Sequence, residues 1–279
     1  MAQKHPFPLN IIRGVFPILE KISPNYANNM AAKLFLTPVR FGFTEKEKEF
    51  LPKMKQYTLL QNHKKIMVYS MGEGPVVVGV HGWAGRGIQF RMFAEALAES
   101  GYKFVTFDAW GHGQSEGKMS SLFEFSEGLD MILKQENNVK VVLAHSLGSA
   151  AASYYAAEKG TLPALVTFGA PVVAEDILSS FTDTINASKK IHAGIRQKAI
   201  ERYNTTFDEV AMENTFKKVG CPVLGLHGLE DKDVPHTHLD VLKSIQPNMD
   251  ARKYEGIGHR SILKNEKVIE EVMGWINNL

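Results

Sequence analysis

From about residue 55 onward, short runs of apolar residues alternate with longer stretches in which apolar residues return every three or four positions. The runs at 75–80 (PVVVGV), 102–107, 139–143, 164–168 and 222–226 place apolar side chains on both faces, the pattern of strands buried on both sides. A shorter run at 252–254 reads as a last strand. Residues 56–60 and 65–69 read as two further strands joined by a turn at Asn62-His63. Between the runs, Phe90, Phe93, Ala94 and Leu97 form a helical stripe that Gly101 closes. Residues 122–135, the alanine-rich stretch after Leu147 and residues 262–275 also read as helices. Strands that alternate with helices in this way form a parallel sheet covered on both faces.

Two stretches leave that rhythm. In residues 1–50, Ile11, Ile12, Val15, Phe16, Ile18, Leu19 and Ile22 form one amphipathic stretch, and Met30, Ala31, Leu34 and Phe35 form a second. Pro24 and Pro38 punctuate them, and the TEKEKEF run reads as a solvated helix face. This is expected to be an N-terminal helical extension packed on a main domain of residues 51–279. A second reading is an interfacial anchor, because apolar residues stand beside Lys4, Arg13 and Lys21. Residues 172–219 lack a convincing strand. There Ile177, Phe181 and Ile185, then Ile191, Ile195 and Ala199, recur at helical spacing, which predicts a helical cap insertion over the strand ends.

Composition narrows the function classes. A net charge of +2 over 279 residues argues against a dedicated nucleic-acid surface. The single cysteine, Cys221, rules out an internal disulfide and a cysteine-based zinc site, and fits a reducing, cytoplasmic setting. It precedes Pro222 at the head of an apolar run and reads as a structural thiol. No run approaches the roughly 18 apolar residues of a membrane span, and no signal peptide is expected.

The candidate chemistry centres on residues 139–148, VKVVLAHSLG, where a buried strand turns within a few residues into a helix. A serine on so sharp a turn projects its hydroxyl clear of the backbone, as in the G-x-S-x-G nucleophile elbow, although Ala144 stands at the first glycine position. A serine hydroxyl needs a base within hydrogen-bond reach, and the base needs an acceptor that fixes its tautomer. Asp231, in HGLEDKDVP, and His259, in GIGHR, both follow predicted strands and so lie at the ligand-binding edge of the sheet. With Ser146 they give the order Ser, Asp, His. Asp233 and Asp176 compete as the acid. His145 is expected to point elsewhere on the elbow, and His236 and His238, two residues apart, lack a nearby ligand set for a metal.

The motifs HGW at 81–83, DAWGHGQS at 108–115, AHSLG at 144–148, HGLEDKDVP at 227–235 and GIGH at 256–259 stand in order, each at a strand end. From about residue 55 to its last residue the chain thereby resembles the α/β-hydrolase superfamily, and within it a bacterial-type subgroup of serine hydrolases with a helical N-terminal extension and a short cap. The resemblance implies an α/β fold with a mostly parallel central sheet. It aligns Asp231 rather than Asp233 with the family's acid, and assigns the oxyanion-binding backbone N–H groups to Trp83 and Leu147. His81 and His112 resemble structural loop histidines. The implied activity is hydrolysis of a carboxylic ester or related acyl bond in a small-molecule substrate, with Ser146 as nucleophile, His259 as base and Asp231 as its orienter, and with no metal or organic cofactor. A thioesterase, a lysophospholipase, a carbon–carbon bond hydrolase and a non-catalytic binding protein are the alternatives on the same fold.

Overall fold

The computed structural model describes residues 7–61 and 63–279. In chain order its regular elements begin with α1 (Phe7–Ile22), α2 (Pro24–Phe35) and α3 (Glu45–Phe50), followed by β1 (Lys55–Gln61), β2 (Lys64–Met71) and β3 (Val76–Val80). Then come α4 (Arg91–Glu99), β4 (Lys103–Phe107), α5 (Leu122–Gln135), β5 (Val139–His145), α6 (Leu147–Glu158) and β6 (Leu165–Phe168). The remaining elements are α7 (Ala174–Ile185), α8 (Lys190–Tyr203), α9 (Phe207–Val210), α10 (Met212–Thr215), β7 (Val223–Gly228), α11 (Thr237–Ile245), β8 (Asp250–Tyr254) and α12 (Glu266–Asn277).

The eight strands form one sheet in the order β1-β2-β4-β3-β5-β6-β7-β8, parallel from β4 to β8, with β1 and β2 antiparallel at one edge. Continuous apolar strands are what such a sheet requires, since each face must bury its own side chains. In β3, Val76, Val78 and Val80 enter the core shared with Phe125 and Leu129 of α5 and Ala151 of α6. Val77 points to the opposite core, with Phe93 and Leu97 of α4 and Val268 and Val272 of α12. The chain runs from β3 to β4 on one side and later places β5 on the other side of β3. The loops after β3 and β5 therefore diverge, which opens a crevice at the carboxyl ends of these strands.

The last helix starts later than its apolar pattern suggests. Residues Ser261–Lys264 form a 3-10 turn, and the Asn265 side chain accepts from Val268 N–H and starts α12 afresh. Residues 38–43 cross to the crevice side, where the Arg40 guanidinium donates to the carbonyls of Gly111, Gly113, Ser115 and Gly117 at 2.7–3.2 Å. One side chain thus holds the glycine-rich loop after β4 by its own backbone.

The chain divides into two compact units, residues 38–172 with 212–279, which contain the sheet, and residues 1–37 with 173–211. In the second unit α1 and α2 pack with α7 and α8 around Phe16, Ala27, Ala31, Leu178, Ile185, Ile191 and Ile195. Arg13 donates to the carbonyls of Asp183 and Thr184, and Glu20 accepts from Ser188 N–H. α2 and α8 approach closely at Gly194, where a Cβ would fall 2.2 Å from Asn28 Oδ1. Ile177, Phe181 and Ile185 lie on α7. Of these, Ile185 is buried and Phe181 packs against the same core. Ile11, Val15, Ile18 and Ile22, on the other face of α1, stay more than half exposed. Residues 212–219 belong to the sheet unit, where Met212, Phe216 and Val219 join the core beside α6. Among the described residues no helix is long and apolar enough to cross a membrane.

Candidate active site

Ser146 stands between β5 and α6 with φ 52° and ψ −125°. A non-glycine residue in such a conformation stores about 1–3 kcal/mol, and persists only where its surroundings over-determine it. Here Ser146 N–H donates to Phe168 O at 2.9 Å, Ser149 N–H donates to Ser146 O at 2.8 Å, and the Ser149 hydroxyl donates to Ala144 O at 2.8 Å. The last bond spans the elbow. Ala144 is fully buried in the core below it, so the methyl that replaces the usual glycine is accommodated.

The neighbouring glycines have little freedom to change. A Cβ on Gly82 would lie 2.7 Å from Ser146 Cβ, and one on Gly148 would lie 2.4 Å from Val80 O and 2.6 Å from His81 O. The second pair of obstacles is backbone at the end of β3 and just after it, which cannot yield as a flexible side chain does. Gly148→Ala is expected to destabilise the fold by about 1–3 kcal/mol, the usual range for overpacking. Urea unfolding of the variant beside wild type measures it, and an unchanged midpoint would contradict the close approach of α6 to β3.

Asp231 lies in the loop after β7, with its side chain only 1% exposed. Both its oxygens are committed. Oδ1 accepts from Val234 N–H at 2.8 Å and Asp233 N–H at 2.9 Å, while Oδ2 faces His259 Nδ1 at 2.7 Å and His227 Nε2 at 3.3 Å. Burial by itself raises a carboxyl's pKa, but the hydrogen bonds from His227 and His259, the charge interaction with His259 and the bond from Val234 N–H outweigh it. The net effect holds Asp231 well below the usual carboxylate range. Among the described residues Asp233 makes no hydrogen bond or ion pair with His259. It contributes its backbone N–H to the Asp231 carboxylate, so the two acids of this loop have separate roles. Asp176 lies on α7, in the other unit.

His259 follows β8. Its imidazole and the Asp231 carboxylate flank Gly169, which has φ +56°, and a side chain there would come within 3.1 Å of both Asp231 Oδ2 and His259 Nδ1. Gly169 directly follows Phe168, whose carbonyl holds Ser146 N–H. The serine backbone and the Asp–His pair are therefore anchored at the same strand end.

His145, expected to point elsewhere on the elbow, faces the loop of His259. Its Nε2–H donates to His259 O at 2.8 Å, and the two rings lie 4.6 Å apart at 48°. His81, fully buried, joins two loops. Its Nδ1–H donates to Gly82 O at 2.7 Å and its Nε2 accepts from Ala109 N–H at 2.9 Å. Burial, and after it the nearby His112, hold His81 well below the ordinary histidine value. This histidine therefore fixes the turn that presents Trp83. Leu147 is the first residue of α6, so its N–H lies among the helix-start donors that have no intrahelical acceptor. The Trp83 ring meets His112 edge-on at 5.1 Å.

Sequence reasoning missed His145 and His227 as neighbours of the candidate pair. The only available signal was position, because each ends or nearly ends a strand that leads into the site. His238, set aside as a metal ligand, accepts from Val172 N–H through Nδ1 at 2.9 Å.

The model of the family described as "Serine aminopeptidase, S33" matches residues 74–214, just over half of the chain. The chain belongs to this family of α/β-hydrolases. It is 31% identical over 179 residues to the lysophosphatidylserine lipase ABHD12 of Danio rerio; the match covers 58% of this chain and 44% of the fish protein, so it spans less than half of that relative's length. Its fold is similar to that of an esterase from Pyrococcus furiosus (TM-score 0.63, 16% identity, 87% of this chain and 97% of that one). It is also similar to the esterase EaEST from Exiguobacterium antarcticum (TM-score 0.61, 19% identity, 77% and 96%).

Proposed function

We propose that this α/β-hydrolase is a serine esterase in which Ser146 is the nucleophile, His259 the general base and Asp231 the residue that orients it. The observation that carries the reading is the 2.7 Å contact between His259 Nδ1 and Asp231 Oδ2, anchored beside the elbow that bears Ser146. With Nδ1–H donated to the carboxylate, Nε2 is left unprotonated and free to accept. The Ser146 proton moves to Nε2 as Oγ bonds to the acyl carbon. The carbonyl electron pair shifts to oxygen, and the N–H groups of Trp83 and Leu147 are suited to receive it. Collapse of this intermediate breaks the bond to the leaving alcohol, which takes the proton from His259. Water then attacks the acyl-enzyme by the same route and frees Ser146.

Within this reading, the relative named a lysophosphatidylserine lipase favours a lysophospholipid ester over a small acyl ester. Initial rates on p-nitrophenyl esters of increasing chain length, set beside lysophosphatidylserine, separate the two. Turnover that rises with chain length and extends to the lysolipid supports the lipid substrate. Turnover confined to acetyl and butyryl esters points to a small-acyl esterase, and no ester turnover at all would overturn the proposed function.

A further inference from the structure

His145 lies one residue before Ser146, yet its side-chain hydrogen bond goes to the loop of His259 and not to the elbow. The side chain is buried, with 4% of its surface exposed. A carbonyl can only accept, so the 2.8 Å contact with His259 O defines Nε2 as the protonated nitrogen of His145. The other nitrogen, Nδ1, is buried without a hydrogen-bond partner among the described residues and faces Gly82, where a Cβ would fall 3.0 Å away. The ring thus fills the space between the Gly82–Trp83 turn and the main chain of His259. Burial and the neighbouring His259 also push its pKa down to about 3, so it stays neutral beside the imidazolium that catalysis generates.

From this geometry we infer that His145 is a positioning residue for the general base. It pins the main chain of His259 through Nε2–H so that the imidazole keeps its contact with Asp231 and its approach to Ser146. The inference rests on the proposed roles of Ser146 and His259 and adds a second point of attachment. Asp231 fixes the side chain of the base, and His145 fixes its backbone. His145 is not itself a base for Ser146, because its unprotonated nitrogen, Nδ1, makes no hydrogen bond to the Ser146 hydroxyl.

A glutamine at 145 keeps an N–H donor at about the reach of Nε2, an asparagine keeps the amide but falls short, and a leucine keeps volume without a donor. His145→Leu and His145→Asn are expected to lower kcat by on the order of 100-fold, the loss typical of a reacting group displaced by about 1 Å, with KM little changed. His145→Gln is expected to recover most of that loss. Where the leucine variant fails to fold, the glutamine–asparagine comparison carries the same test. Wild-type kcat in a folded leucine or asparagine variant, or a glutamine variant as impaired as asparagine, would overturn the assignment. A readout independent of turnover is the imidazole ¹⁵N spectrum of the wild-type protein. His145 should give a neutral Nε2–H tautomer from pH 5 to 8, and an Nδ1–H tautomer or a titrating ring would overturn the brace. A protein that a fluorophosphonate fails to label at Ser146 yet shows that tautomer would sink the esterase reading while retaining the contact.

Discussion

Ser146→Ala is expected to abolish covalent labelling by a fluorophosphonate and to lower the turnover of an activated ester by roughly 10⁶-fold, the scale on which removal of a serine nucleophile acts. The reason is specific to the elbow. The Ser146 backbone is held by Phe168 O and by the turn to Ser149, neither of which involves the hydroxyl. Alanine at 146 therefore removes Oγ from an otherwise preserved scaffold. The variant should keep the wild-type melting temperature within a few degrees, or exceed it, because alanine keeps the same β-carbon and loses only a polar atom. Labelling that persists in this variant would show that another residue is the nucleophile.

Asp231→Asn is expected to reduce kcat by about 10⁴-fold, the loss that follows when a triad histidine is held in the wrong tautomer. The two oxygens of Asp231 are not equivalent. Val234 N–H and Asp233 N–H both donate to Oδ1, so an asparagine would keep its carbonyl oxygen there and turn its amide toward His259 Nδ1 and His227 Nε2. Two N–H groups would then meet head to head. His259 would relieve the clash by moving its proton to Nε2, the nitrogen that must receive the serine proton. Asp233→Asn, by contrast, should keep near-wild-type kcat, since only the backbone of residue 233 contacts the carboxylate. Full activity in Asp231→Asn with loss in Asp233→Asn would reverse the assignment. The stability comparison has a definite sign. A carboxyl held below its ordinary pKa contributes stability that is fully present above that value, about 3.9, and is lost as pH falls through the folded-state value. The stability difference between wild type and Asp231→Asn should therefore be constant above about pH 5 and should shrink as the pH is lowered below 4. Urea midpoints at several pH values measure it.

The sheet was legible because strands buried on both faces must be continuously apolar, and residues 76–80 and 141–144 could hardly do otherwise. The loop positions of Ser146, Asp231 and His259 were legible for a related reason, since polar, glycine-rich segments directly after such strands fall at one edge. The contact that separates Asp231 from Asp233 depends on which side chain curls back onto its own loop, and spacing alone does not contain that. The orientation of His145 was not legible either. A residue next to a sharp turn can face several ways, and the loop that receives it lies 114 residues later. Nor did periodicity show that Arg40 would satisfy four carbonyls of the glycine-rich loop, since an isolated arginine after a proline reads as ordinary surface. The restart of the last helix at Asn265 was hidden for another reason, as apolar spacing runs through the 3-10 turn and α12 alike.

The unit built from α1, α2, α7 and α8 is made of two segments that the sequence keeps far apart. Its hydrogen bonds from Arg13 to Asp183 and Thr184, and from Ser188 to Glu20, join residues 168–171 positions apart. During synthesis, α1 and α2 therefore emerge long before the helices that cover Phe16, Ala27 and Ala31, and they must wait with those side chains uncovered. Contacts of such long range slow folding more than they weaken the final state. These two helices are thus made well before α7 and α8 and are among the last elements to find their partners. This interval is when a chaperone or an early misfolding event would act on this protein.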